Sequence, residues 1–341
     1  MSKRRSRKWI GVSFVVLAAF IFSVFALEAA SAAPAKTIKW DFCPTTYMPG
    51  TYDEFYQTKE FTRRIMEVTD GAIDITTHIA LVKARDIIDA VRDKRIHMGS
   101  QGTMYRADLA LFNYVTLPGI PFEKLLEIQA KIRPILTKVA LDKFDVVLLG
   151  YGYWPRQQLL TIRPAATFKE LKGIKFRTHS VELLQLLKAI GGSPVSVASV
   201  EVYTALQRRT LDGGVTSLTY MRSGKWIEVA THVNYWQLGN AAYMFIVNKD
   251  AWNKVPADLQ QKILKESVKL EAEMFAAAAK ADEDDKVLLK KLGVTYHYPP
   301  QKELDKLMAG MDPVIKNWKK RAGPHADEVL AIINEMAGTN F

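Results

Sequence analysis

The chain reads as an α/β protein of two lobes, and three observations predict this. Short apolar or alternating stretches at 37–43, 72–77 and 96–99 are separated by segments of helical periodicity. That rhythm implies βαβ units and a largely parallel sheet. Without its N-terminal leader the chain has about 309 residues, too many for one ordinary core and suited to two. A periodic segment from 256 to about 292, opened by Pro256 and stopped by Gly293, makes roughly ten helical turns. Such a helix exceeds one lobe and is expected to span both.

The leader comes first. Lys3, Arg4, Arg5, Arg7 and Lys8 precede an apolar run over 9–27, and small residues end at Ala30-Ser31-Ala32. This is the layout of a secretory signal peptide, 1–32, with cleavage after Ala32 and export to the periplasm. Retention of the long apolar run as a membrane anchor is the alternative. The cleavage region has no cysteine, which argues against a bacterial lipoprotein. Cleavage removes those five positive charges and Glu28, so the formal net charge falls from +11 to +7. That excess suits anionic solutes or a spread of solvated lysines. Nothing concentrates it into a nucleic-acid groove.

The first strand, 37–43, leads to a helix over 52–69 whose inward positions are Phe55, Lys59, Thr62 and Met66. Asp70-Gly71 turns the chain into a half-buried strand at 72–77. A helix over 84–94 buries Ile87, Ile88 and Val91, and 96–99 is a strand. Residues 146–151 form the next apolar strand. Thr167-Phe168-Lys169-Glu170 has capping-box form, and Gly173 stops the short helix it starts. The strand ending at Arg177 runs to Ser180, which caps a helix with the stripe Leu183, Leu184, Leu187 and Ile190. Ser199 starts a helix over 200–208, 211–218 is turn and strand, and 243–247 is a strand returning to the first lobe. Helices at about 301–321 and 325–337 close the chain. Lobe I is thus 33–153, with about 242–280 returning to it. Lobe II is 154–241, with about 281–341 contributing C-terminal helices.

Arg177 is the residue with the clearest chemistry. Ligands of open α/β sheets bind beyond the carboxyl ends of parallel strands, and a helix N-terminus there favours anions. A guanidinium at that place can hold a carboxylate through two parallel hydrogen bonds. Tyr153, Trp154 and Trp236 are candidate walls for an apolar cleft, with core packing as their other role. Ser100 and Gln101, in a Gly99-Gly102 loop after a strand, can present polar groups to a ligand. His179, beside Arg177, is read first as a helix-entry histidine satisfied by backbone, with contact to a ligand as its other role, and Asp282-Glu283-Asp284-Asp285 as a solvated helix face. Cys43, the only cysteine, is read as a small buried residue. Signatures of zinc proteases, serine hydrolases and nucleotide-binding loops are missing, and the six histidines show no metal-ligand spacing. No enzyme activity, cofactor or metal is expected.

Several segments together resemble the solute-binding proteins of tripartite ATP-independent periplasmic (TRAP) transporters. Leu171-Lys172-Gly173-Ile174-Lys175-Phe176-Arg177 is similar to the L-K-G-x-K-x-R segment of that family. Gly192-Ser193-Pro194, then Glu201-Val202-Tyr203-Thr204-Ala205-Leu206-Gln207, Leu211-Asp212-Gly213, Lys225-Trp226-Ile227-Glu228-Val229 and 248–256 follow in its order. The resemblance implies a two-lobed periplasmic-binding-protein fold with hinge strands, closing like a clamshell on an organic acid for membrane permease subunits. It also implies that Arg177 binds the carboxylate and that Arg156 is a second arginine near the ligand. Where many members read D-G-Q-E-N-P, this chain has Asp212-Gly213-Gly214-Val215-Thr216-Ser217, so Thr216 replaces a ligand-reaching asparagine. That argues against a sialic-acid-like or small dicarboxylate solute, and with the aromatics favours a monocarboxylate with an apolar or aromatic body. The rival readings are a ligand-binding partner of a sensor system and an exported enzyme acting on a carboxylate.

Overall fold

The computed structural model describes residues 37–45, 48–236 and 238–341, which carry two sheets. The leader at 1–32 lies outside the described residues. The first sheet has the order β2-β1-β3-β10-β4, where β1 is Ile38–Cys43, β2 Ile73–Thr77, β3 Met98–Gly102, β4 Val146–Trp154 and β10 Ala241–Asn248. Strands β1, β2 and β3 are parallel, whereas β10 runs antiparallel between β3 and β4. The second sheet has the order β11-β9-β5-β8-β6-β7. It comprises β5 Gln158–Thr161, β6 Lys175–Thr178, β7 Ser193–Ser196, β8 Gly213–Thr216, β9 His232–Asn234 and β11 Thr295–His297. Here β6 is parallel to both neighbours and β5 is antiparallel to both of its own. The chain therefore passes between the sheets at 155–157 and at 235–240, two short strand-to-strand links suited to a hinge.

Helices cover the sheets: α1 over 52–68, α2 Ile87–Arg92, α3 Leu125–Phe144, α4 Phe168–Leu171, α5 Val181–Ala189, α6 Val202–Gln207 and α7 Leu218–Ser223. They are followed by α8 Lys249–Asn253, α9 Ala257–Lys291, α10 Gln301–Ala309, α11 Asp312–Ala322 and α12 Ala326–Ala337. The inward face of α1 differs from the one its periodicity predicts. Phe55 is 47% exposed and Lys59 is exposed, while Asp53, Gln57, Phe61 and Ile65 are buried. The cause is a π turn at Tyr56–Glu60, whose extra residue per turn rotates the stripe along the helix. Phe61 then stacks on Phe245 of β10 with centroids 3.6 Å apart. Thr167 and Glu170 form the expected capping box of α4, and Ser180 caps α5 by accepting from Leu183 N. In α5 it is Leu186 rather than Leu184 that joins the buried stripe.

The 35-residue α9, roughly 50 Å long, packs against β4 and α1 near its start and α7 further on. Buried acids fasten it at several points. Glu266 pairs with Arg64, and Glu271 pairs with Arg133 while accepting from Tyr151 N of β4 at 2.6 Å. The Asp282–Asp285 stretch is not a wholly solvated face. Asp282 and Asp285 are buried and pair with Arg156 and Arg222, leaving Glu283 and Asp284 exposed or nearly so. The C-terminal helices bear on both lobes. Trp318 Nε1 of α11 donates to Ala110 O at 2.8 Å, and Arg321 pairs with Glu182 of α5.

Candidate functional site

Strand β6 ends at a cleft lined by Met104, Tyr105, Trp154, Gln157, Arg177, His179, Ser199, Thr216, Ser217, Tyr220 and Ala241. Residues of both sheets contribute, and they close on one another so far that about 30 Å³ stays free, room for a water or two and far below the few hundred Å³ of an open small-molecule site. Arg177 pairs in register with Val195 of β7 and Gly214 of β8, at the centre of the parallel strands. Gly214 has a packing role there. A Cβ on it would meet Trp226 Cζ3 at 3.0 Å, and the indole lies 5.8 Å beneath the Arg177 guanidinium.

Each nitrogen of the Arg177 fork makes one bond to a neutral acceptor. Nε donates to Val197 O at 3.1 Å, Nη1 to Val215 O at 2.9 Å and Nη2 to the Ser199 hydroxyl at 2.7 Å. Of five N–H groups, one on each terminal nitrogen stays uncommitted. The side chain is buried, and among the described residues no carboxylate pairs with it. Arg64, Arg106, Arg133, Arg222 and Arg321, by contrast, each hold an acidic partner. Burial pulls the Arg177 pKa down to about 10, which leaves it charged at neutral pH. A buried, geometrically fixed cation without an anion is what an arriving carboxylate requires.

Trp154 and Thr216 line the same cleft as Arg177. Arg156 does not: it borders a neighbouring cleft, pairs with Glu123 and with Asp282 at 3.1 Å, and lies over the Phe122 ring. The other sequence-derived candidates are turned into the protein. Tyr153 alternates with Trp154 on β4, so its ring leaves the opposite face and its hydroxyl reaches Leu125 O at 3.4 Å. Trp236 donates to Ala165 O at 2.6 Å and stacks on Phe168. Ser100 bonds Gln57 Oε1 at 2.6 Å, and Gln101 is committed to Ile88 N, Ala84 O and Gly102 O. These four are held by ordinary backbone and core demands and do not reach the cleft.

The cleft also contains His179, which sequence reasoning ranked chiefly as a backbone-satisfied helix-entry residue, and Gln157, which it passed over. His179 and Gln157 face one another at 3.0 Å between Nε2 and Oε1. Position i+2 from Arg177 was a signal for His179, because alternate residues of an extended segment share a face. Asp53 of α1 sits behind the wall, accepting from Trp154 Nε1 at 2.9 Å and from the Tyr220 hydroxyl at 2.7 Å, both on Oδ2. Its burial raises the carboxyl pKa, opposed first by the Trp154 hydrogen bond and then by that from Tyr220. Among the described residues no group of His, Cys, Asp and Glu side chains could hold a metal ion.

Comparison with known proteins agrees with this architecture. The family "Bacterial extracellular solute-binding protein, family 7" matches residues 47–321. The C4-dicarboxylate-binding periplasmic protein DctP of Shewanella loihica is 29% identical over 202 residues, 58% of this chain and 59% of that one. The 2,3-diketo-L-gulonate-binding periplasmic protein YiaO of Escherichia coli is 25% identical over 82% of this chain and 86% of its own. The solved structure of DctP6, a Bordetella pertussis extracytoplasmic solute receptor binding pyroglutamic acid, superposes with a TM-score of 0.79. It is 21% identical, and the match covers 87% of this chain and 99% of that one. At that identity the likeness carries the fold. The chain belongs to family 7 of the bacterial extracellular solute-binding proteins.

Proposed function

We propose that this receptor captures a small organic monocarboxylate with an apolar or planar body, closes on it, and delivers it to the membrane permease subunits of its transporter. The observation that carries the reading is the buried Arg177 guanidinium with two uncommitted N–H groups and no acidic partner. A carboxylate there gains charge-assisted hydrogen bonds in a site from which water is largely excluded. The preference for one carboxylate over two follows from charge counting. Arg177 and the neutral His179 are the basic residues that line the cleft among the described residues, since Arg156 is occupied by Glu123 and Asp282. A second carboxylate would be buried without a cation, at a cost of several kcal/mol. The relative named for C4-dicarboxylates supports an organic acid as solute, while the charge count argues for a single acid group here. Met104, Tyr105, Trp154, Tyr220 and Ala241 supply the walls for the rest of the solute. Closure is a shift between open and closed forms driven by contacts made only when both lobes touch the ligand.

Thermal stabilisation by a panel of mono- and dicarboxylates tests this, with mass spectrometry of any small molecule released on denaturation. Stabilisation by monocarboxylates alone is expected. A panel in which succinate stabilises the protein more than every monocarboxylate contradicts the charge argument.

A further inference from the structure

One polar group on the cleft wall is used neither by the fold nor by the carboxylate clamp. His179 follows Arg177 by two residues at the end of β6 and borders the same cleft. Its Nε2 lies 3.0 Å from Gln157 Oε1. The orientation of that amide is set elsewhere, because Gln157 Nε2 donates to Pro155 O at 2.7 Å in buried surroundings. Gln157 therefore presents its oxygen to the ring. Nε2 of His179 must carry the proton, and Nδ1 is left as a bare acceptor. Nδ1 is sealed from solvent and has no hydrogen-bond partner. Burial, and after it the charge of Arg177, hold the imidazole well below its ordinary pKa, so the ring stays neutral. An unpaired buried acceptor is unfavourable until something donates to it.

We propose that His179 Nδ1 receives a neutral hydrogen-bond donor of the ligand, placed beside the carboxylate that Arg177 holds. The ligand class is then a monocarboxylate whose α-carbon carries a hydroxyl or an amide N–H. An α-ammonium fits less well. It would bring a second cation next to Arg177 in a cleft that no aspartate or glutamate lines among the described residues. Gln157 acts as a positioning residue, since its oxygen selects the tautomer of the ring. This inference rests on the carboxylate reading and refines it.

The test uses matched acids that differ only in the donor: mandelate against phenylacetate, and pyroglutamate against 3-oxocyclopentane-1-carboxylate. Each is titrated calorimetrically into wild type, His179→Leu and His179→Asn, with the fold of every variant checked by its melting transition. Wild type is expected to bind the donor-bearing member of a pair about tenfold to a hundredfold more tightly. His179→Leu should shrink that ratio to within about threefold, and His179→Asn, whose amide oxygen can stand near the Nδ1 position, should keep part of it. Equal binding within both pairs by wild type overturns the inference, as does an undiminished ratio in His179→Leu. Failure of both donor-bearing acids to bind overturns it too. In each case the wider reading is judged separately, by whether other monocarboxylates bind in an Arg177-dependent manner.

Discussion

The Tyr220 hydroxyl, on α7 beside the second sheet, donates to Asp53 Oδ2 on α1 of the first lobe at 2.7 Å. Trp154 Nε1 donates to the same oxygen at 2.9 Å, so one buried carboxylate ties together two walls of the cleft from opposite lobes. The bond can exist only where α7 and α1 approach, so any closure that brings them together would be held by it. Tyr220→Phe removes the hydroxyl and keeps the ring. Hydrogen bonds to charged groups contribute about 1.5–3 kcal/mol, so ligand affinity should fall by roughly tenfold to a hundredfold. The loss should be in faster dissociation, measurable by stopped-flow displacement. An unchanged dissociation rate would mean that the bond does not hold the lobes.

Asp282 makes stability depend on pH in a defined direction. Burial raises its carboxyl from the ordinary 3.8 to about 6, and the hydrogen bond from Arg156 only partly opposes this. The pairing loses to burial because Arg156 is one-third exposed and shared with Glu123. The folded state thus disfavours the charged form. The stability linked to this residue is fully present below about pH 4 and is lost as pH rises through about 6, by roughly 3 kcal/mol at most. Urea melts of wild type and Asp282→Asn at pH 4 and pH 7 isolate the effect. The difference, wild type minus variant, should fall between the two pH values. A difference that rises contradicts the assignment.

Gly239 lies in the link that returns the chain to β10. Its φ is +86°, and a Cβ there would come within 2.6 Å of Thr116 O. Gly239→Ala meets both a left-handed backbone and a main-chain oxygen that cannot swing away. A destabilisation of about 2–4 kcal/mol is expected in chemical denaturation. A variant as stable as wild type would show that this link relaxes freely.

Much of the fold was legible in the sequence because caps and periodicity act locally. Thr167 with Glu170, and Ser180, mark helix starts by bonds within one turn, and both formed as expected. The π turn at Tyr56–Glu60 was not legible, since one extra residue per turn leaves composition unchanged while rotating the face. The same division runs through the site. Arg177 stands where a parallel strand meets a helix, a local pattern, yet its neutral partners Val197, Ser199 and Val215 lie 20 to 38 residues away. Arg156 sits next to the cleft in sequence, but Glu123 and Asp282, from distant helices, claim its charge. Tyr153 and Trp154 could have been separated by strand alternation alone. Asp53 carried no signal, because a buried acid on a helix looks like any solvated one until its partners arrive through space.

The central claim is that Arg177 holds the carboxylate of the solute. The direct measurement is calorimetric affinity for the best-stabilising monocarboxylate in wild type, Arg177→Lys and Arg177→Ala. Breaking a buried charge pair costs about 3–5 kcal/mol, so Arg177→Ala should weaken binding by roughly two to three orders of magnitude or more. Arg177→Lys keeps the charge but not the planar fork, and should lose at least about tenfold. Affinities within twofold of wild type in both variants, each folded, would contradict the claim.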